Sequence, residues 1–75
     1  KHHIKVYPNP VNETLTVLPK YNVKSLVIIN IHGQVVYNHT KELMDNEACK
    51  IDVSNFAKGI YIIKTNTFSQ KFIVD

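Results

Sequence analysis

Arginine and tryptophan are absent from this 75-residue chain, cysteine and methionine occur once each, and glycine occurs twice. Each shortage excludes something. With a single cysteine, Cys49, there is no internal disulfide, so a domain this small must rest on its core or on a parent protein. Without arginine the chain lacks the side chain best suited to bidentate readout of phosphates and base edges. The positive charge comes from nine lysines spread along the sequence, net +3, so nucleic acid is not an expected partner. No apolar run approaches the ~18–20 residues of a membrane-spanning helix. The chain opens with neither Met nor a signal peptide, and reads as a piece of a longer protein. One domain is the expectation for this length, with about 60% of the unfolded surface buried and a thin stability margin. Apolar residues make up 44% of the chain. That is close to the ~45–50% of folded domains, so a core is expected.

What is present is a series of short apolar segments punctuated by turn residues. Residues 51–65, IDVSNFAKGIYIIKT, set the frame. Asp52 holds the turn beside it, Ser54 offers a hydroxyl to cap a single helical turn, and Gly59 takes the left-handed position that ends it. The run Ile60-Tyr61-Ile62-Ile63 is apolar on both faces and predicts a central strand covered on both sides.

Towards the N-terminus, residues 4–7 alternate as a first strand. In the Pro8-Asn9-Pro10 segment that follows, neither proline donates to a ladder, which predicts an edge or a crossover between sheets. Residues 14–18 place Leu15 and Val17 on one face. Residues 24–30, 34–37, 48–53, 60–63 and 69–74 bring the strands to seven, with Gly33 supplying positive φ at a hairpin tip. Residues 38–47 set Lys41, Glu42, Asp45 and Glu47 around Leu43 and Met44, and read as an exposed loop or a poor strand. The fold expected is all-β: a seven-stranded antiparallel immunoglobulin-like β-sandwich with one helical turn.

The residues offer little chemistry. His2 and His3 are adjacent and would point to opposite faces of a strand, while His32 and His39 fall on a hairpin tip and a polar loop. No pair has metal-ligand spacing and Cys49 lacks a CxxC partner, so no metal or cofactor is expected. Cys49 reads as a half-buried strand residue. Ser25, Ser54 and Ser69 lack a glycine-rich elbow, and an enzyme is not expected. For Lys1-His2-His3, native sequence and tag remnant read alike. Asn12-Glu13-Thr14 and Asn38-His39-Thr40 match the glycosylation triplet, which arises readily by chance in an Asn- and Thr-rich chain.

Four blocks carry a resemblance: VYPNPVNETLTV (6–17), VIINIHGQVV (27–36), IDVSNFAKGIYIIKT (51–65) and QKFIV (70–74). Each alone is weak. In this order and at these intervals, over nearly the whole chain, they resemble the type A C-terminal sorting domain of type IX secretion cargo in Bacteroidetes. The resemblance implies a sandwich at the C-terminus of a larger secreted protein, found outside the cell or on its surface. The expected partners are the type IX translocon, its shuttle proteins, and a sortase-like cysteine peptidase that cuts ahead of the domain. The domain is that peptidase's substrate, and a lipopolysaccharide anchor typically replaces it. The family-motif positions are Pro8, Asn9, Pro10, Gly33, Asp52, Gly59 and Tyr61, with structural roles; Tyr61 is expected to bury its ring and keep its hydroxyl in water. Lys71, Phe72, Ile73, Val74 and Asp75 form the expected recognition strand, its edge open to an added strand and Lys71 a charge contact. Asp75 departs from the basic or neutral residue on which the family often ends. No membrane insertion is implied. The alternative reading is a structural, carbohydrate-binding or adhesive module. Against it, Trp is absent and Tyr7, Tyr21, Tyr37 and Tyr61 sit on separate elements rather than in a row.

Overall fold

Alternation along the chain translates directly into two sheets in the computed structural model, which describes residues 4–75. Lys1, His2 and His3, and with them the question of a tag, lie outside the described residues. The strands are β1 (Ile4–Tyr7), β2 (Thr14–Pro19), β3 (Leu26–Ile29), β4 (Val35–His39), β5 (Cys49–Asp52), β6 (Gly59–Thr65) and β7 (Ser69–Val74). One sheet has the order β1-β2-β5 and the other β4-β3-β6-β7. All strand pairings are antiparallel. With the strands lettered A, B, C, C′, E, F and G in chain order, these are sheets A-B-E and C′-C-F-G. That is an immunoglobulin-like sandwich.

The core is what the period-two pattern dictates. Leu15 and Val17 of β2, Ile51 of β5, Leu26 and Ile28 of β3, Ile63 of β6 and Phe72 of β7 are all fully buried between the sheets. Burying a side chain of this size is worth about 1.5–3 kcal/mol. No buried side-chain polar atom among the described residues lacks a hydrogen-bond partner.

The β3–β4 hairpin shows how short signals set geometry. Gly33 has φ +79° and its N–H donates to the Asn30 carbonyl at 3.0 Å. The Asn30 side chain also accepts from the N–H groups of His32 and Gln34, at 2.9 and 3.0 Å. An asparagine at the first turn position and a glycine after it match the chemistry of a short hairpin loop.

Several expectations need correction. The helical turn is not formed: the Phe56 N–H donates to the Val53 carbonyl at 3.0 Å, closing a β-turn instead. Ser54 caps nothing. Its hydroxyl and N–H both donate to the Asp52 carboxylate, at 2.6 and 3.0 Å. Gly59 opens β6 at φ +149°, a positive-φ extended conformation rather than a left-handed helical one. Residues 38–47 are not simply exposed loop. Asn38 and His39 belong to β4, and Leu43 is buried and exchanges backbone bonds of 2.8 Å with Val23. The expected cover on both faces of β6 is also missing: Ile60, on the outer face, is 45% exposed.

At Gly59 an added Cβ would meet nothing within 4 Å, so the constraint is the backbone alone. Gly59→Val is therefore expected to cost about 1–3 kcal/mol, the strain of a β-branched residue in a conformation nearly reserved for glycine. Urea unfolding of the purified variant checks this. A midpoint equal to wild type would mean that β6 begins in another conformation.

Candidate functional site

The terminal strand is held from three sides. Its alternation sends Phe72 and Val74 inward, at 0% and 4% exposure, and Lys71 and Ile73 outward. Its inner edge pairs with β6 from Gly59↔Val74 to Lys64↔Ser69. Its outer edge is partly occupied as well. Val11 donates to the Ile73 carbonyl at 2.9 Å and accepts from the Asp75 N–H at 2.8 Å, as a parallel bridge to Val74. The Asn9 side-chain oxygen accepts from the Ile73 N–H at 3.0 Å.

This arrangement explains the proline-flanked segment. Leaving β1, the chain crosses to the other sheet, straps the end of β7 and returns as β2. Pro8 and Pro10 have no N–H to leave unpaired, and between them Asn9 turns its amide side chain on β7. Val11 is buried and anchors the strap in the core. Sequence reasoning missed Val11, although an apolar residue directly after the prolines was the available signal. It expected an open terminal edge. The strap closes that edge at Ile73 and beyond, leaving the stretch from Ser69 to Lys71 outside it.

Tyr61 links the motif residues to the terminal strand. Its ring lies between Phe56 and Phe72, with centroid separations of 5.2 and 5.8 Å. The hydroxyl is not left in water: it donates to the Ala57 carbonyl at 2.6 Å, tying β6 back to the turn before it. A tyrosine near the start of strand F bonded to backbone a few residues upstream is a recurrent immunoglobulin-sandwich corner. From Asp52 through the 53–56 turn, Phe56, Tyr61 and Phe72, the contacts run to β7 without a break. Gly33 stands apart on the β3–β4 hairpin, whose Ile31 and His32 line a cleft of about 210 Å³ together with Ala57, Gly59, Ile60 and Tyr61.

The two hydrogen bonds from Ser54 hold the Asp52 carboxyl below its ordinary value of 3.8. A carboxylate depressed in the folded state contributes stability that is complete above the unfolded value and lost as pH falls through the folded one. Replacing Asp52 with alanine is therefore expected to destabilise at neutral pH. The gap to wild type should narrow as pH drops below the ordinary carboxylate range, as read by urea midpoints. A gap independent of pH would show that these bonds do not discriminate the ionised form.

Elsewhere, Cys49, His39 and Tyr37 meet where β4 and β5 approach. Cys49 Sγ lies 4.0 Å and the Tyr37 hydroxyl 3.2 Å from His39 Nδ1. Burial first, then nearby Glu47, pushes the Cys49 thiol up, which is the opposite of an activated nucleophile. Among the described residues no group of three or more His, Cys, Asp or Glu side chains is placed to hold a metal ion.

The family model for the secretion system C-terminal sorting domain matches residues 5–75. The chain belongs to that family. A sorting domain of this kind is a type IX secretion signal, not a catalyst, and directs its protein out of the cell or onto its surface. Over 71 residues this one is 38% identical to the beta-agarase A of Zobellia galactanivorans, covering 92% of the present chain and 13% of that protein. The sorting domain thus spans about an eighth of the length of the curated relative it matches. No solved structure matches it at a significant level.

Proposed function

We propose that residues 1–75 are the C-terminal tail of a larger secreted protein, and that the type IX machinery reads them as a folded unit. The observation that carries this reading is the construction of the terminal strand. Phe72 and Val74 are committed to the core, so of Lys71, Phe72, Ile73, Val74 and Asp75 the strand offers a partner the outward side chains of Lys71 and Ile73. With Asn9 and Val11 on its outer edge, an added strand would find little ladder beyond Ile73. Recognition by side chains on a folded surface fits better than strand addition. The partners are the translocon, its shuttle proteins and a sortase-like cysteine peptidase, which takes the segment ahead of the domain as substrate. The cargo then receives a lipopolysaccharide anchor in the domain's place.

The test is a fusion. Residues 1–75 are attached through a linker to a fluorescent protein carrying a periplasmic signal peptide, in a host with type IX secretion. Fluorescence at the surface or in the medium is expected, and is expected to vanish in a translocon-deficient strain. A folded fusion retained in the periplasm of both strains would overturn the reading.

A further inference from the structure

The four-stranded sheet has one face in the core and one face uncovered. A solvated antiparallel face ordinarily carries polar side chains in alternation with the buried ones. This face does not. Val27 and Ile29 of β3, Val35 of β4, Ile60 and Ile62 of β6 and Ile73 of β7 all lie outside the core. The registers bring them together: Val35 opposes Ile29, Ile29 opposes Ile62, and Ile60 opposes Ile73. An aliphatic stripe thus crosses all four strands, with Val35 58%, Ile60 45% and Ile73 44% exposed. At one end it runs into the cleft between the β3–β4 hairpin and the start of β6, where Ile31 is 71% exposed. Contiguous apolar patches of this kind mark interaction sites.

The charged side chains on the strands of this face are lysines. Lys64 and Lys71 project from the same face, Lys71 directly across from Ile62 and Lys64 across from Val27. Lys58 stands at the cleft. None of the four strands contains Asp or Glu. The carboxylates fall on β5, in the turns and loops outside this sheet, and at Asp75 after β7.

We propose that the outer face of the β4-β3-β6-β7 sheet is a docking surface for a protein of the secretion machinery whose own contact surface is apolar at its centre and acidic at its rim. This rests on the sorting reading and adds to it the surface and the chemistry of the partner. Charge decides the occupant. A second copy would set an aliphatic face whose strands bear lysines and no carboxylate against another, leaving Asp75 at the end of β7 as the one acidic side chain beside three lysines. An anionic lipid surface would attract the lysines, but the face carries no Trp, Tyr or Phe of the sort that seats a protein at a membrane interface. A protein surface with an aliphatic centre and carboxylates around it satisfies both features. Ile73 and Lys71 place the terminal strand inside the docking surface by its outward side chains, while Phe72 and Val74 hold it in register from within.

The test measures binding of the fluorescently labelled chain to the purified, detergent-solubilised type IX translocon by fluorescence anisotropy. Two double variants address the face: Ile60→Ser with Ile73→Ser, and Lys64→Glu with Lys71→Glu. Met44→Ser, an exposed apolar residue on a loop away from the sheet, is the control. Thermal melts check that each chain folds; the charge variants alter only exposed side chains and keep the test alive if the serine pair unfolds. Each folded double variant is expected to bind at least about tenfold more weakly than wild type. Wild-type binding is expected to weaken with added salt, and the charge-reversed chain to lose that dependence. Met44→Ser should bind as wild type does.

Either double variant binding like wild type overturns the inference, and so does an equal loss in Met44→Ser. Self-association in sedimentation equilibrium, or binding to anionic vesicles, would overturn it too if abolished by the variants while translocon binding survived. Export of the fusion, measured in parallel, reads the sorting role separately. Export with indifferent variants removes the docking face and leaves the sorting signal. A wild-type chain that neither binds nor exports removes both.

Discussion

A chain ending at Gln70 will show no cooperative unfolding transition. The missing residues take Phe72 and Val74 out of the core and remove the β6 ladder opposite Gly59, Ile60, Tyr61 and Ile62. They also strip Asn9 and Val11 of the partners that fix the strap. Loss of a single buried phenylalanine side chain costs about 3–5 kcal/mol. A domain of this length has roughly 4–11 kcal/mol in total. A thermal melt by circular dichroism of the truncated chain is the check. A sharp transition near that of the full chain would show that β7 is dispensable to the sandwich. Failed export of such a truncation therefore reports on folding as much as on recognition. Substitutions of the outward Lys71 and Ile73 separate the two.

Leu43→Ala is expected to cost about 2–5 kcal/mol, although the residue sits in the most polar stretch of the chain. For a domain this small the melting temperature should fall by at least about 10 °C. Leu43 is 5% exposed and belongs to the central core, and its backbone pairs with Val23 in both directions. It pins the long connection between β4 and β5 over one end of the sandwich. A loss under about 1 kcal/mol in urea, with an unchanged m-value, would place Leu43 outside the core.

Leu43 also shows where sequence reading runs out. Lys41, Glu42, Asp45 and Glu47 dominate any local average, and a single leucine among them has no period to announce its face. The strands were legible because alternation repeats: Leu15 with Val17, Ile51 with Val53 and Phe72 with Val74 each name a face twice. The 53–58 turn misled for a different reason. Ser54 and Gly59 are the residues that start and stop helices, but the four residues between them leave no room for a hydrogen-bonded turn to propagate, and Asp52 claims the serine first. Gly59 was correctly read as a positive-φ position, in a different region of that half of the map. An apolar residue after the prolines signals that Val11 is buried, but not that it and Asn9 pair with β7, since those bonds join positions more than sixty residues apart with no pattern linking them. The apolar outer face was visible as a doubly apolar run at Ile60-Tyr61-Ile62-Ile63. What the sequence could not say is that only one side of it would be covered.

The strap has a mechanical meaning. Because Val11 and Val74 run parallel, a pull between the chain ahead of Ile4 and the end at Asp75 moves Asn9 and Val11 along β7 in opposition to it. With β1 peeled away, the two backbone bonds at Val11 and the Asn9 amide contact meet the load together, in shear, rather than opening one after another. Tension applied between the chain ahead of β1 and the end of β7 is thus carried along the line of force.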